Sequence, residues 1–312
     1  MKNVSVPIDL VIPFVDGNDS IWYNEFKKYK NDFKSDSKDG DARTRFDGDD
    51  VLLYVFRSIQ CFAPWINKIH LIVSGPSQVP KWMNTDNVKV VYHKDFIPDF
   101  ALPCFNSSVF EHFIWNIPGL SEYFIYGNDD LIFNSFVNPG DFFNFDKGAL
   151  RNNVIYSKSK IEYLNSAWHT TFVNAAKLGT LGTDVNPVLN GYYLTCEHDF
   201  KACSVSNQKD IFTLYENEIR SSFTMFRDEK NINGYLYQIY DFVHNEFKYD
   251  SFRNCKYFAL TQNNINNIKT ALNDVTIKTV CINDIPQTTQ RDKDYIKQLL
   301  EEKFPIKSIY EL

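Results

Sequence analysis

Ile8-Asp9-Leu10-Val11-Ile12-Pro13-Phe14-Val15, followed at once by Asp16-Gly17-Asn18-Asp19, is the stretch that decides the fold. The run is β-rich and almost continuously apolar, as a strand covered on both faces must be, and the Asp-Gly-Asn-Asp cluster ends it in a turn. Runs of the same kind recur at residues 69–73, 88–92 and 123–126, the last ending in Gly127-Asn128-Asp129-Asp130. Helical patterns lie between them. Residues 20–34 carry Trp22, Phe26, Tyr29 and Phe33 at helical spacing with lysines opposite, and residues 35–49 are polar and read as a surface loop. Asp50 is placed to cap a helix over residues 51–61. Strands alternating with helices over the first 130 residues predict a βαβ series and a mostly parallel sheet.

Between about residues 150 and 250 the texture changes. Helical patterns at 211–219 and 234–247 are separated by polar, Asn-rich stretches. Short alternation then returns, with a strand expected over 278–282 ending at Asn283-Asp284, and an amphipathic helix over 290–303. No internal repeat and no Gly/Ser-rich or Pro-rich linker marks a boundary. The expectation is one catalytic α/β domain over residues 1–312, with a helical insertion at roughly 150–250.

At 312 residues, with 44% hydrophobic and 23% charged side chains, the chain can bury a real core. A formal net charge of −6 argues against a nucleic-acid binder, which would show a basic face. No apolar run approaches 18 residues, and the strand at Ile8 leaves no room for a signal peptide, so the expected location is cytoplasmic. Six scattered cysteines without a CxxC pair read as free thiols, and the grouping of Cys196, His198 and Cys203 fits no standard zinc spacing.

Three strand ends carry acids and amides: Asp16-Gly17-Asn18-Asp19, Asn128-Asp129-Asp130 and Asn283-Asp284. Such residues are common in turns for their own backbone chemistry. In open α/β sheets, however, ligands sit beyond the carboxyl ends of the strands, and three such clusters there suit a hard divalent cation and a phosphate group. His198 and Arg227 lie in the helical region with acids nearby. GxGxxG, GxxxxGK[ST] and GxSxG are absent, which removes the dinucleotide, P-loop and nucleophile-elbow readings. From the residues alone, the reading stops at a metal-assisted enzyme acting on a phosphorylated ligand.

The ordered motifs resemble the Stealth family of sugar-1-phosphate transferases. That family includes bacterial capsule polymerases and the catalytic subunit of the lysosomal-enzyme GlcNAc-1-phosphotransferase. The first block of the resemblance is the opening strand and turn, with Trp22 following. The second and longest runs from Arg45-Phe46 through Arg57-Ser58-Ile59, Ala63-Pro64-Trp65-Ile66, Gln78-Val79-Pro80-Lys81-Trp82, Asn106-Ser107-Ser108 and Glu111 to Asn128-Asp129-Asp130. The third holds His198 and Phe226-Arg227, and the fourth is Cys281-Ile282-Asn283-Asp284 with Phe304-Pro305-Ile306-Lys307-Ser308 and Glu311.

The resemblance implies a Rossmann-like nucleotide-sugar transferase core that moves hexose 1-phosphate, GlcNAc 1-phosphate or a related hexosamine, from a UDP-sugar to a glycan hydroxyl. The acceptor is free or lipid-linked. A phosphodiester of capsule or another cell-surface polysaccharide results, and UMP leaves. The resemblance also implies Mg2+ or Mn2+ at Asp129 and Asp130, Arg227 on the moving phosphoryl group, and Asp19 or His198 as the general base. Asp16, Asn18, Arg45, Arg57, Glu111, Asn128, Asn283 and Asp284 would line the substrate pocket. A lipid-linked acceptor would bring the chain to the inner face of the cytoplasmic membrane as a peripheral protein. Two other readings share these residues. One is a conventional glycosyltransferase that releases UDP, and the other is a carbohydrate-binding protein without catalysis.

Overall fold

The computed structural model describes residues 6–32, 51–163, 166–245 and 253–312. The expected loop at 35–49, the cap at Asp50 and the candidate Arg45 lie outside the described residues.

The described strands, in chain order, begin with β1 (Ile8–Pro13), β2 (Ile69–Val73), β3 (Lys89–Tyr92), β4 (Tyr123–Tyr126) and β5 (Leu131–Phe133). A short pair follows, β6 (Phe143–Asn144) and β7 (Ala149–Leu150), then β8 (Val154–Tyr156), β9 (Val188–Leu189), β10 (Tyr192–Cys196) and β11 (Lys201–Ser204). The chain closes with β12 (Cys255–Ala259) and β13 (Thr279–Asn283). The main sheet has the order β11-β4-β1-β2-β3. β1 to β4 are mutually parallel, with Leu10 opposite Ile69 and Ile8 opposite Tyr123, while β11 closes one edge antiparallel to β4. The mixed α/β class and the mostly parallel sheet are as expected.

The two-residue period of a strand explains why the opening run is apolar throughout. Leu10 and Ile12, with Leu71, Val73 and Ile125, belong to one buried cluster, which the helices Val51–Phe62 and Gln290–Lys303 also enter. Val11, with Ile72, Val91, Phe124 and Tyr126, belongs to a second buried cluster together with residues of the helices Ala167–Gly179, Val205–Leu214 and Leu236–His244. Both faces are therefore covered, and an alternating polar residue would cost burial on one side or the other. The exception is Asp9, fully buried in β1. Its carboxylate accepts from Asn67, from the Ser121 backbone and from His70 at 3.0 Å, so the charge is taken inside already paired. Burial by itself lifts the Asp9 carboxyl, but these partners outweigh it and hold it below the usual range.

The helical insertion at 150–250 is only half of what that region contains. Its helices are Ala167–Gly179, Val205–Leu214, Glu216–Ser221 and Leu236–His244. It also carries β8, β9 and β10, an antiparallel sheet of order β8-β10-β9, and supplies β11 to the main sheet. The strands there are two to five residues long, too short to impose a periodicity that survives among Asn and Ser. A third sheet pairs β12 parallel to β13 and β13 antiparallel to β5, which brings Cys281 opposite Leu131. No described helix is long and apolar enough to cross a membrane.

Candidate active site

Past the carboxyl ends of β1, β2 and β4 lies a cleft of about 860 Å3. Pro13, Phe14 and Val15 leave β1 into it, Ser74 follows β2, and Asn128, Asp129 and Asp130 follow β4. This is where parallel sheets leave backbone ends and side chains free for a ligand. The opposite walls come from the 150–250 region, with Trp168, His198, Arg227 and Tyr235, and from the edge of the β12–β13 pair, with Tyr257, Asn283 and Asp284. Glu111 lies in the floor, buried, and accepts from the Tyr126 hydroxyl at 2.9 Å and the Gly234 backbone at 3.1 Å. Burial pushes its carboxyl up, against the pull of Lys201, Tyr126, Gly234 and Arg227.

Asp130 is the point where three elements meet. His198 Nε2 is 3.4 Å from its Oδ1, and the Cys281 thiol donates to its Oδ2 at 3.2 Å. Asn128 Nδ2 lies 3.4 Å from the same His198 nitrogen, and the Tyr235 hydroxyl lies 3.4 Å from His198 Nδ1. Burial lifts the Asp130 carboxyl, but His198 and Cys281 outweigh it and hold it below the usual carboxylate range. Cys281 is pushed well above the ordinary thiol range by burial and by the Asp130 charge, so it is a neutral donor at physiological pH. One ligand atom from each of Asp130, His198 and Cys281 falls within 4.8 Å of the others. Cys196 and Cys203, considered with His198 from the sequence, are not part of this group.

Arg227 is buried, 8% exposed, with its guanidinium carbon 3.8 Å above the Trp168 ring and Nη2 donating to Ser107 Oγ at 3.3 Å. Asp284 pairs with Lys293 through one oxygen, while its Oδ1 is buried without a hydrogen-bond partner among the described residues. Asn283 donates to the Tyr257 hydroxyl at 2.8 Å. The sequence-expected Glu111, Asn128, Asp129, Asp130, His198, Arg227, Asn283 and Asp284 thus come to one cleft.

Four of the expected site residues, Asp16, Asn18, Asp19 and Arg57, are not among the residues that line the cleft. Arg45 is outside the described residues. Arg57 points to the other side of its helix, where it donates to both oxygens of Glu311, to Glu301 and to the Phe304 carbonyl. It is an internal ion pair that ties the helix Val51–Phe62 to the end of the chain, and its expected place in the substrate pocket is corrected. Asp19 caps the helix Ser20–Asp32. Its oxygens accept from the backbones of Ile21 and Trp22 and from the side chains of Ser77 and Gln78. Burial lifts this carboxyl, but the Ser77 and Gln78 bonds outweigh it and hold it low. A carboxylate already serving four donors is a poor proton acceptor, and the bonds of Asp19 are those of a helix cap. Asp16 and Asn18 stand in the same turn, where the Asp16 carboxylate accepts from the Asn18 backbone, and they too are outside the residues lining the cleft.

Sequence reasoning passed over Cys281, Trp168 and Tyr235. For Cys281 a signal existed: two residues before Asn283 on a strand puts both on one side of the sheet. For Trp168 and Tyr235 no local pattern points at the cleft, because their partners are dozens of residues away.

Residues 45–151 match Stealth protein CR2, conserved region 2. The exopolysaccharide phosphotransferase cps2G of Lactiplantibacillus plantarum is 29% identical over 97% of this chain and 96% of its own length. A capsular polysaccharide phosphotransferase WcwK of Streptococcus pneumoniae is 30% identical over 100% of this chain and 99% of its own length. The capsular polysaccharide phosphotransferase SacB of Neisseria meningitidis serogroup A is 40% identical, over 44% of this chain and 24% of its own. Among solved structures, the galactosyltransferase LgtC with donor and acceptor sugar analogs aligns over 95% of this chain and 96% of that chain, at 9% identity and a TM-score of 0.45. Identity maintained from end to end with WcwK, together with the matched second conserved region, places the chain in the Stealth protein family.

Proposed function

We propose that this cleft transfers hexose 1-phosphate, GlcNAc 1-phosphate or a related hexosamine, from a UDP-sugar to a glycan hydroxyl, and that UMP leaves. The product would be a phosphodiester in capsule or another cell-surface polysaccharide. The observation that carries the reading is the convergence of Asp129, Asp130, His198 and Arg227 at the strand ends of one cleft, in a chain whose full-length relatives are named as capsular and exopolysaccharide phosphotransferases.

Electrostatics supports a divalent cation. A diphosphate brings several negative charges into a cleft already lined by Glu111, Asp129, Asp130 and Asp284. Asp129 and Asp130 offer the oxygen ligands that Mg2+ or Mn2+ takes. The partners of Asp130 are a thiol at 3.2 Å and an imidazole nitrogen at 3.4 Å, contacts weak enough to leave carboxylate lone pairs for a hard ion. Asp129 and Asp130 would hold it, and when bound it supplies positive charge at the diphosphate. Arg227, with five N–H donors in a fixed fork, neutralises the equatorial oxygens of the phosphoryl group as it moves. His198 takes the proton of the attacking hydroxyl, and the imidazolium that forms is stabilised by Asp130 at Nε2 and by the Tyr235 hydroxyl at Nδ1. Asn128, Asn283 and Asp284 supply polar contacts along the donor. A lipid-linked acceptor would make the enzyme peripheral on the cytoplasmic membrane face.

The test is turnover of UDP-GlcNAc and a glycan acceptor with added Mg2+ or Mn2+, before and after EDTA, in wild type and Asp130→Asn. The reading expects activity that EDTA removes and metal restores, and a variant that folds normally but is nearly inactive. Turnover that persists in EDTA or in Asp130→Asn would remove the metal and reduce Asp130 to a turn residue.

A further inference from the structure

The helix Ala167–Gly179 carries no acid, and its lysine, Lys177, lies in its last turn, yet its first turn forms part of the cleft wall. Trp168 and Phe172, one turn apart, share a helix face. They meet edge to face with ring centroids 4.7 Å apart, and Phe172 meets Tyr235 in the same way at 4.8 Å. The Tyr235 hydroxyl reaches His198 Nδ1 at 3.4 Å, and Arg227 lies on the outer face of Trp168 at 3.8 Å. Three aromatic rings therefore run unbroken from one polar residue of the cleft to the other.

The indole gives Arg227 a fixed plane. A guanidinium acts on a phosphoryl group through the plane of its fork, and a long side chain samples many planes unless something flat holds it. The Ser107 hydroxyl at 3.3 Å fixes one nitrogen only loosely. Glu111, buried in the floor, attracts the guanidinium down toward itself. The indole face resists both motions at once, since stacking fixes the plane and the cation–π attraction opposes the pull of the carboxylate.

We propose that Trp168 is a positioning residue, which holds Arg227 flat and in the cleft so that its fork faces the transferred phosphoryl group. The inference rests on the phosphotransfer reading of the same cleft. Removing the ring lets Arg227 fall toward Glu111, so the loss appears at the step in which the phosphoryl group moves, more than in donor binding.

The experiment is a double-mutant cycle, read as UMP released from UDP-GlcNAc with Mn2+ and a glycan acceptor and expressed per folded molecule by circular dichroism. Trp168→Ala should lower kcat by about 30-fold, the factor equivalent to a partly desolvated cation–π contact, with a smaller change in KM. Trp168→Phe, which keeps an aromatic face, should recover most of the rate, and Trp168→Leu, which keeps bulk without one, should not. In an Arg227→Ala background, Trp168→Ala should cost nothing further, because the residue it positions is already gone. An equal cost in both backgrounds, or full activity in Trp168→Leu, overturns the proposal and leaves Trp168 as wall packing. Wild type that releases no UMP overturns the phosphotransfer reading and this inference together, whereas UMP release with an additive cycle overturns this inference alone.

Discussion

A methyl group at position 127 would stand 2.3 Å from Cδ1 and 2.4 Å from Cε1 of Phe200, a ring that is itself fully buried and stacked on Phe133 at 4.1 Å. The absence of a side chain at Gly127 is what lets the strand end pass over that ring and present Asn128, Asp129 and Asp130. Gly127→Ala should cost about 1–3 kcal/mol of stability, the usual cost of overpacking a rigid core, and lower turnover because the three polar residues move with the backbone. Thermal melting and UDP-sugar turnover check the two halves. Arg57 makes the opposite case, a residue that looked functional and is structural. Arg57→Ala leaves Glu311 buried without its cation and should destabilise the fold by about 3–5 kcal/mol, with turnover per folded molecule unchanged. Normal stability with lost turnover would return Arg57 to the substrate pocket. The same pair has a pH signature. Burial by itself lifts the Glu311 carboxyl, but its bonds to Arg57 and Ser308 outweigh that and hold it below the usual range. A carboxyl lowered on folding stabilises above its unfolded value and loses that contribution as pH falls through its folded one. The stability gap between wild type and Glu311→Gln should therefore be full at neutral pH and close as acid is added below about pH 4.3. A gap that widens in acid would contradict the assignment.

At the scale of elements, the parts legible in the sequence were those whose signal is local. β1, β2, β4 and the helix Gln290–Lys303 follow from apolar runs, turn clusters and a 3.6-residue stripe, with ends within two residues of expectation. β11 was not legible. Lys201-Ala202-Cys203-Ser204 has no strand-like alternation, and it becomes a strand because the exposed edge of β4 offers it a ladder, with Ala202 opposite Ile125. Lys201 is buried there, its ammonium 4.4 Å from the Tyr235 ring, a setting that composition does not foretell. The candidate site divides in the same way. Acids and amides at strand ends can be read because chain direction fixes where a strand ends, whereas Trp168 and Tyr235 owe their place to long-range packing. The Asp16–Asp19 turn shows the cost of reading residue type alone, since the same Asp that suits a base also suits a helix cap. An amide oxygen caps a helix about as well as a carboxylate but cannot take a proton. Asp19→Asn should therefore keep stability within about 0.5 kcal/mol and keep most of the turnover, by denaturant titration and steady-state assay. A folded but inactive Asp19→Asn would make it the base after all.

Across the whole molecule, the sheet serves as a partition. The opening strand faces one buried cluster with Leu10 and Ile12 and the other with Val11, and the chain turns at its carboxyl end into the cleft. The first 130 residues supply the acidic strand ends, the 150–250 region brings His198 and Arg227 over them, and the C-terminal strands close the third side with Tyr257, Asn283 and Asp284. Function on this reading needs all three, because no single segment carries metal ligands, base and phosphoryl clamp together. The central claim is that the reacting atom is the phosphorus bearing the sugar, and the nucleotide product reports it most directly. The measurement is ion-exchange chromatography of a reaction containing UDP-GlcNAc, Mn2+ and a glycan acceptor, with the acceptor weighed by mass spectrometry. Attack at that phosphorus breaks the bond between the two phosphates, so UMP should appear in equal amount with an acceptor heavier by one hexosamine phosphate. UDP in place of UMP, with an acceptor heavier by the sugar alone, would mean attack at the anomeric carbon and would contradict the account.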